Sequence, residues 1–62
     1  MDIKKIRTTA MLTQMDFAKE IGVSYVTIAK WEKNKAEPSL RHKRKIIEFA
    51  IDNGIETENE YD

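Results

Sequence analysis

Apolar residues recur along this chain at intervals of three and four, the spacing of amphipathic helices, and strand-like alternation never persists beyond a few positions. Ile3 and Ile6 mark the inner stripe of a first helix that Asp2 is suited to cap and that runs to about Ala10. Thr13 opens a second helix. Its hydroxyl is placed to accept the free amide of Asp16, whose carboxylate sits in the first turn where the helix dipole favours it. Phe17, Ala18 and Ile21 form the apolar stripe, and Gly22 ends the helix where a residue without Cβ turns at positive φ. Ser24 caps a third helix only two residues later, with Ile28 and Trp31 on its buried side. That helix is expected to end near Lys33, with Asn34 as a left-handed cap. Residues 34–37 form a polar connection, Pro38 blocks helix continuation, and Ser39 caps a fourth helix from Leu40 to about Asn53, with Gly54 beyond its end.

The fourth helix offers two apolar flanks. Ile47, Ala50 and Ile51 are expected to pack inward beneath Leu40. Ile46 and Phe49 then lie on a neighbouring flank as an interface for a second copy or for another protein. The alternative is a wide inner stripe that absorbs them. Met11 and Met15, flanking Leu12, are expected to fill gaps in the core. Trp31, three residues after Ile28, reads as core rather than as a base-stacking platform.

The fold class is therefore all-α, a compact domain of four helices with room for a fifth short turn. Residues 1–55 form the domain, and residues 56–62 form an acidic, frayed tail. At 62 residues the chain lies near the lower limit for a self-sufficient core. It holds no cysteine and a single histidine, His42, so neither disulfides nor a histidine–cysteine zinc site reinforces it. His42, between Arg41 and Lys43, reads as a solvated surface residue, with a phosphate contact as the alternative. Apolar runs never exceed three residues, so neither a membrane span nor a signal-peptide core is present, and Met1 reads as a true start. The expected location is cytoplasmic.

Charge changes this picture through its distribution. The formal net charge is zero, which by itself argues against a nucleic-acid partner. Residues 30–45, however, carry seven basic residues against two acidic ones, a balance of +5. Residues 48–62 carry six acidic residues and no base, a balance of −6. Segregation this sharp points to a basic functional face and an acidic tail, a solvated charge run being the plainer alternative.

Two short capped helices joined by Gly22-Val23 make a helix-turn-helix, in which the first helix braces the second against a major groove. Such a motif needs small residues where the helices touch, glycine at the turn, and an exposed polar first turn on the second helix. Ala18, Gly22 and Ser24-Tyr25-Val26-Thr27 meet these needs. The run from Leu12 to Ser24, Thr27-Ile28-Ala29-Lys30-Trp31-Glu32-Lys33-Asn34-Lys35 and the continuation Pro38-Ser39-Leu40 resemble the lambda-repressor/Cro-like (XRE-type) helix-turn-helix family over about residues 2–52. Members of that family are bacterial or phage transcriptional regulators that bind operators, mostly as dimers.

What the resemblance implies is residue-specific. Tyr25, Val26, Thr27 and Lys30 occupy base-reading positions. Gln14 and Ser24 stand where side chains meet DNA phosphates, and Lys33, Asn34 and Lys35 lie in a loop that approaches the backbone. Arg7 and Glu32 match a structural ion pair. The chain departs from the family in having Asn34 for the usual loop glycine, Lys43 for a usual leucine, and no glutamine, asparagine or arginine at positions 25 and 26. Tyr25 and Val26 offer apolar contact with thymine methyls and one hydroxyl, a thin hydrogen-bonding code. The expected function is thus a sequence-specific regulator, a phage or bacterial repressor, with double-stranded DNA and a second copy as partners. The alternative is a modulator or antirepressor that binds another regulatory protein. No histidine–nucleophile pair, catalytic carboxylate cluster or glycine-rich phosphate loop points to an enzyme, and no cofactor, metal or small-molecule ligand is expected.

Overall fold

The computed structural model describes residues 1–57, which form four helices: α1 (Ile3–Thr9), α2 (Gln14–Ile21), α3 (Tyr25–Glu32) and α4 (Leu40–Asp52). Every one begins at a side chain that accepts the backbone N–H three residues on. Asp2 accepts from Lys5 at 3.0 Å, Thr13 from Asp16 at 3.1 Å, Ser24 from Thr27 at 3.2 Å and Ser39 from His42 at 3.3 Å. Each such cap is worth about 1 kcal/mol, so helix starts are fixed by local chemistry.

The helix ends share a design of their own. Met11, Gly22, Asn34 and Gly54 all adopt left-handed backbone, with φ of 61°, 87°, 59° and 66°. The amide after each turns back to the carbonyl five residues earlier: Leu12 to Arg7 (3.2 Å), Val23 to Ala18 (3.0 Å), Lys35 to Lys30 (2.9 Å) and Ile55 to Ala50 (2.8 Å). This is the Schellman arrangement, which satisfies carbonyls that the helix leaves without partners. Glycine fills two of the four left-handed positions and asparagine a third, but the fourth is held by methionine.

The core consists of Ile3 and Ile6 from α1, Phe17, Ala18 and Ile21 from α2, Ile28 and Trp31 from α3, and Ile46 and Ala50 from α4. No polar residue is buried among the described residues. Leu12, Val23, Phe49 and Ile55 pack around this centre, half-buried.

Four expectations need correction. Ile46 is fully buried, and Phe49 sets its ring edge-on against Phe17 with centroids 5.2 Å apart, so neither is free to form an interface. Of the flank expected inside, Ala50 alone is buried; Leu40 and Ile51 are exposed and Ile47 is half-buried. The cause is the direction from which α2 meets α4, which places positions 46 and 50 inward rather than 47 and 51. Met11 and Met15 fill no gap; they are 90 % and 61 % exposed. His42 is half-buried rather than solvated. Its ring lies 5.5 Å from that of Trp31, and Nδ1 sits 3.2 Å from the Ser39 hydroxyl. The fifth turn is absent among the described residues, and most of the acidic tail, residues 58–62, lies outside them.

Candidate nucleic-acid interface

Two features fix how α3 is presented. At its start, Gly22 allows the chain to reverse at positive φ, and only Gly22, Val23 and Ser24 separate the two helices. Ala18, 3 % exposed, lets α2 and α3 approach closely. From α4, the Lys45 ammonium donates to the Ile21 carbonyl at 3.2 Å, holding the end of α2 from outside the motif. This contact had no local sequence signal, because it joins side chain to backbone across 24 positions.

At the far end of α3, Glu32 is gripped by Arg7 of α1. Arg7 Nε donates to Glu32 Oε2 at 2.7 Å and Nη2 to Oε1 at 3.0 Å, the two-pronged geometry that strengthens such pairs. The remaining guanidinium nitrogen, Nη1, donates to the Leu12 carbonyl at 2.9 Å. Gln14, the first residue of α2, donates its amide to Glu32 Oε1 at 3.2 Å. Burial by itself raises the Glu32 pKa, but hydrogen bonds from Arg7 and Gln14, with the charges of Arg7 and Lys4, outweigh it and hold the carboxyl below its ordinary value. The hydrogen bond to Glu32 raises the Arg7 pKa, against a smaller opposing effect of burial.

Between these two anchors α3 displays its outer face. Successive residues advance about 100° around a helix, and Ile28 and Trp31 point into the core. The opposite side therefore carries Val26, Ala29, Lys30 and Lys33, with Tyr25 at its edge. Tyr25 is 51 % and Val26 46 % exposed, and the lysines are exposed. Asn34 and Lys35 continue this surface into the turn after α3, both exposed. Thr27 lies on a flank instead, half-buried, its hydroxyl 3.0 Å from the hydroxyl of Ser24. Ser24 and Thr27 thus spend hydrogen-bonding capacity on the helix cap. Gln14 is half-buried and has one amide N–H and its carbonyl beyond the bond to Glu32. Among the described residues no group of histidine, aspartate and glutamate is arranged to hold a metal ion, and no helix is long and apolar enough to cross a membrane.

A short braced pair of helices, with the second held at both ends and its outer face open, defines a helix-turn-helix protein. A family model described as helix-turn-helix matches residues 3–49. An uncharacterized HTH-type transcriptional regulator of Methanocaldococcus jannaschii is 47 % identical over 47 residues, which span 76 % of this chain and 71 % of that protein. No solved structure matches the chain. The chain belongs to the lambda-repressor-like (XRE-type) helix-turn-helix family.

Proposed function

We propose that this protein is a transcriptional regulator that places α3 in the major groove of an operator and acts there as a repressor. The observation that carries this reading is the outer face of α3. Val26, Lys30 and Lys33 project away from the core with Tyr25 beside them, and all four are exposed. Tyr25, Val26 and Lys30 take the base-reading role, with Thr27 confined to the edge of the contact. Lys33, Asn34 and Lys35 approach the backbone after the helix, and Gln14 approaches it at the start of α2, with Ser24 nearby. Phosphate neutralisation supplies most of the affinity. The relative's name, an HTH-type transcriptional regulator, supports the regulatory role.

The test is fluorescence anisotropy of the full chain with labelled duplexes from its genomic neighbourhood at two or more salt concentrations. Binding whose log–log salt slope is several units supports the reading. Absence of binding to every duplex at low salt overturns it. In a reporter assay, occupancy of a site overlapping a promoter lowers transcription; a rise in transcription overturns the repressor assignment.

A further inference from the structure

The acidic run at the end of the sequence has a regular spacing that operator binding does not use. Glu56, Glu58, Glu60 and Asp62 occupy every second position, with no basic residue among them. Alternate residues of an extended chain share one face, about 6.6 Å apart. That interval is close to the separation of neighbouring phosphates along a DNA strand.

Glu56 is exposed, and with Thr57 it borders a shallow depression against the start of α1, beside Asp2 and Lys5. A second depression shares Asp2 with the first and is bordered by Lys4 and by Asn34, in the turn after α3. Lys4 is close enough to the end of α3 for its charge to help hold the Glu32 carboxyl below its ordinary value. A path therefore runs from Thr57 over the first turn of α1 to Lys33-Asn34-Lys35. Residues 58–62 reach about 17 Å when extended, and the shortest dimension of the molecule is 17 Å. Lys4, Lys5, Lys33 and Lys35 are exposed, and none is held in a salt bridge among the described residues. The carboxylates beside the path are already engaged. Asp2 accepts the Lys5 amide as the cap of α1, and Glu32 is paired with Arg7.

We propose that residues 58–62 dock along this path with their carboxylates on Lys4, Lys33 and Lys35, so that the chain carries its own competitor for the surface that meets the DNA backbone. The consequence for DNA rests on the proposed operator binding; the contact itself does not. Each exposed ion pair is weak and screened by salt, but attachment to the same chain gives the segment a high effective concentration at its target. The contact forms at low ionic strength and yields to a duplex, which brings more charge. It weakens binding to every duplex by the same factor, since it covers backbone-contacting lysines and no base-reading side chain.

The chain has no cysteine, so Tyr61→Cys accepts a nitroxide label while all four carboxylates stay in place. In nuclear magnetic resonance spectra of the labelled full chain without DNA, the amide signals of residues 33–35 and of the start of α1 are expected to broaden at low salt. The broadening is expected to vanish at about 1 M salt, where the screening length falls to about 3 Å. It is also expected to vanish when Glu58→Gln, Glu60→Gln and Asp62→Asn are combined. In fluorescence anisotropy the same triple variant, unlabelled, is expected to bind any duplex about tenfold more tightly than the parent at low salt and equally at high salt. Glu20→Gln, Glu48→Gln and Asp52→Asn together change net charge equally on the α2–α4 side and are expected to shift affinity less than about twofold. Broadening that stops at the start of α1, or that survives neutralisation, overturns the contact. A tail-neutralised chain that binds duplexes no more tightly than the α2–α4 control overturns the competition. The label experiment contains no DNA and decides the contact even where the operator reading fails.

Discussion

Replacing Arg7 by alanine removes more than a charge, and the geometry allows its effect to be worked out. The substitution deletes both bonds to Glu32, at 2.7 and 3.0 Å, and the bond to the Leu12 carbonyl at 2.9 Å. It leaves the Glu32 carboxylate, whose side chain is 5 % exposed, with only the 3.2 Å bond from Gln14. Breaking a buried pair from one side costs about 3–5 kcal/mol, because the surviving charge is stranded. The Arg7 side chain is 12 % exposed, so some solvent reaches the site and the lower figure applies, about 3 kcal/mol. Glu32→Ala strands a guanidinium that keeps its Leu12 partner, and its effect is smaller, about 2 kcal/mol. Since 62 residues support a total stability of about 3–9 kcal/mol, Arg7→Ala takes a third or more of it.

Urea unfolding followed by the fluorescence of Trp31, the only tryptophan and 6 % exposed, measures these changes. In a double-mutant cycle the Arg7→Ala, Glu32→Ala protein should be more stable than the sum of the singles implies, by about 1.5–3 kcal/mol. Additive effects below 1 kcal/mol each would refute the reasoning. An acid arm follows from the lowered pKa of Glu32. The unfolded chain, with an ordinary carboxylate pKa of about 4.3, binds a proton before the folded one does. The stability from ionised Glu32 is therefore complete above that value and is lost as pH falls through the lower folded pKa. Glu32→Gln should remove this part of the acid dependence.

The left-handed positions separate by residue type. Met11→Gly relieves about 1–2 kcal/mol of backbone strain against about 0.4–1 kcal/mol of added unfolded-state entropy, so thermal unfolding should shift up by a few degrees; a fall would contradict the strain argument. Gly22→Ala should lose about 1–2 kcal/mol in urea unfolding, since φ is 87° and the new Cβ would lie 3.4 Å from Lys45 Nζ, whereas Asn34→Gly should change little. Lys45→Met, which keeps the stem and deletes the donor to Ile21, should lower stability by about 1 kcal/mol in the same assay; no change would remove it from the turn. Lys30→Ala should reorder preference among duplexes in a binding titration, while Lys35→Ala should weaken all of them alike and reduce the salt slope by about one.

The helix starts and the motif were legible because their causes are local. A hydroxyl or carboxylate three residues ahead of an amide, and a glycine at the end of a stripe, act within one turn of chain. Ile28 and Trp31 marked the buried side of α3 by period, while the residues of its outer face came from the family resemblance, which also counted Thr27 among them. α4 resisted because Ile46 with Ala50, and Ile47 with Ile51, have the same i, i+4 spacing one position apart. Choosing between them requires knowing where Phe17 stands on α2, a tertiary fact. Met11 was misread because nothing in a methionine announces positive φ; only the carbonyl of Arg7 waiting for the Leu12 amide shows it. The packing of His42 over Trp31 and the bond from Lys45 to Ile21 likewise join distant segments.

These long-range polar contacts bear on how a wholly apolar core orients a reading helix. Burial of Ile28 and Trp31 holds α3 to the molecule, but hydrophobic attraction is non-directional and leaves rotation and tilt loosely set. Direction comes from hydrogen bonds. Glu32 fixes the end of α3 to both α1 and α2 through Arg7 and Gln14, and Lys45 fixes the end of α2, just before the turn, to α4. α1 and α2 thus hold α3 directly by bonds with a required geometry, and α4 holds the helix that braces it. Gln14 sits within this bracing and also on the proposed DNA surface, so its placement is set by the same carboxylate that anchors α3. Loosening the bracing displaces the reading face together with its backbone contact, whereas deleting a surface lysine removes charge and leaves the face where it was.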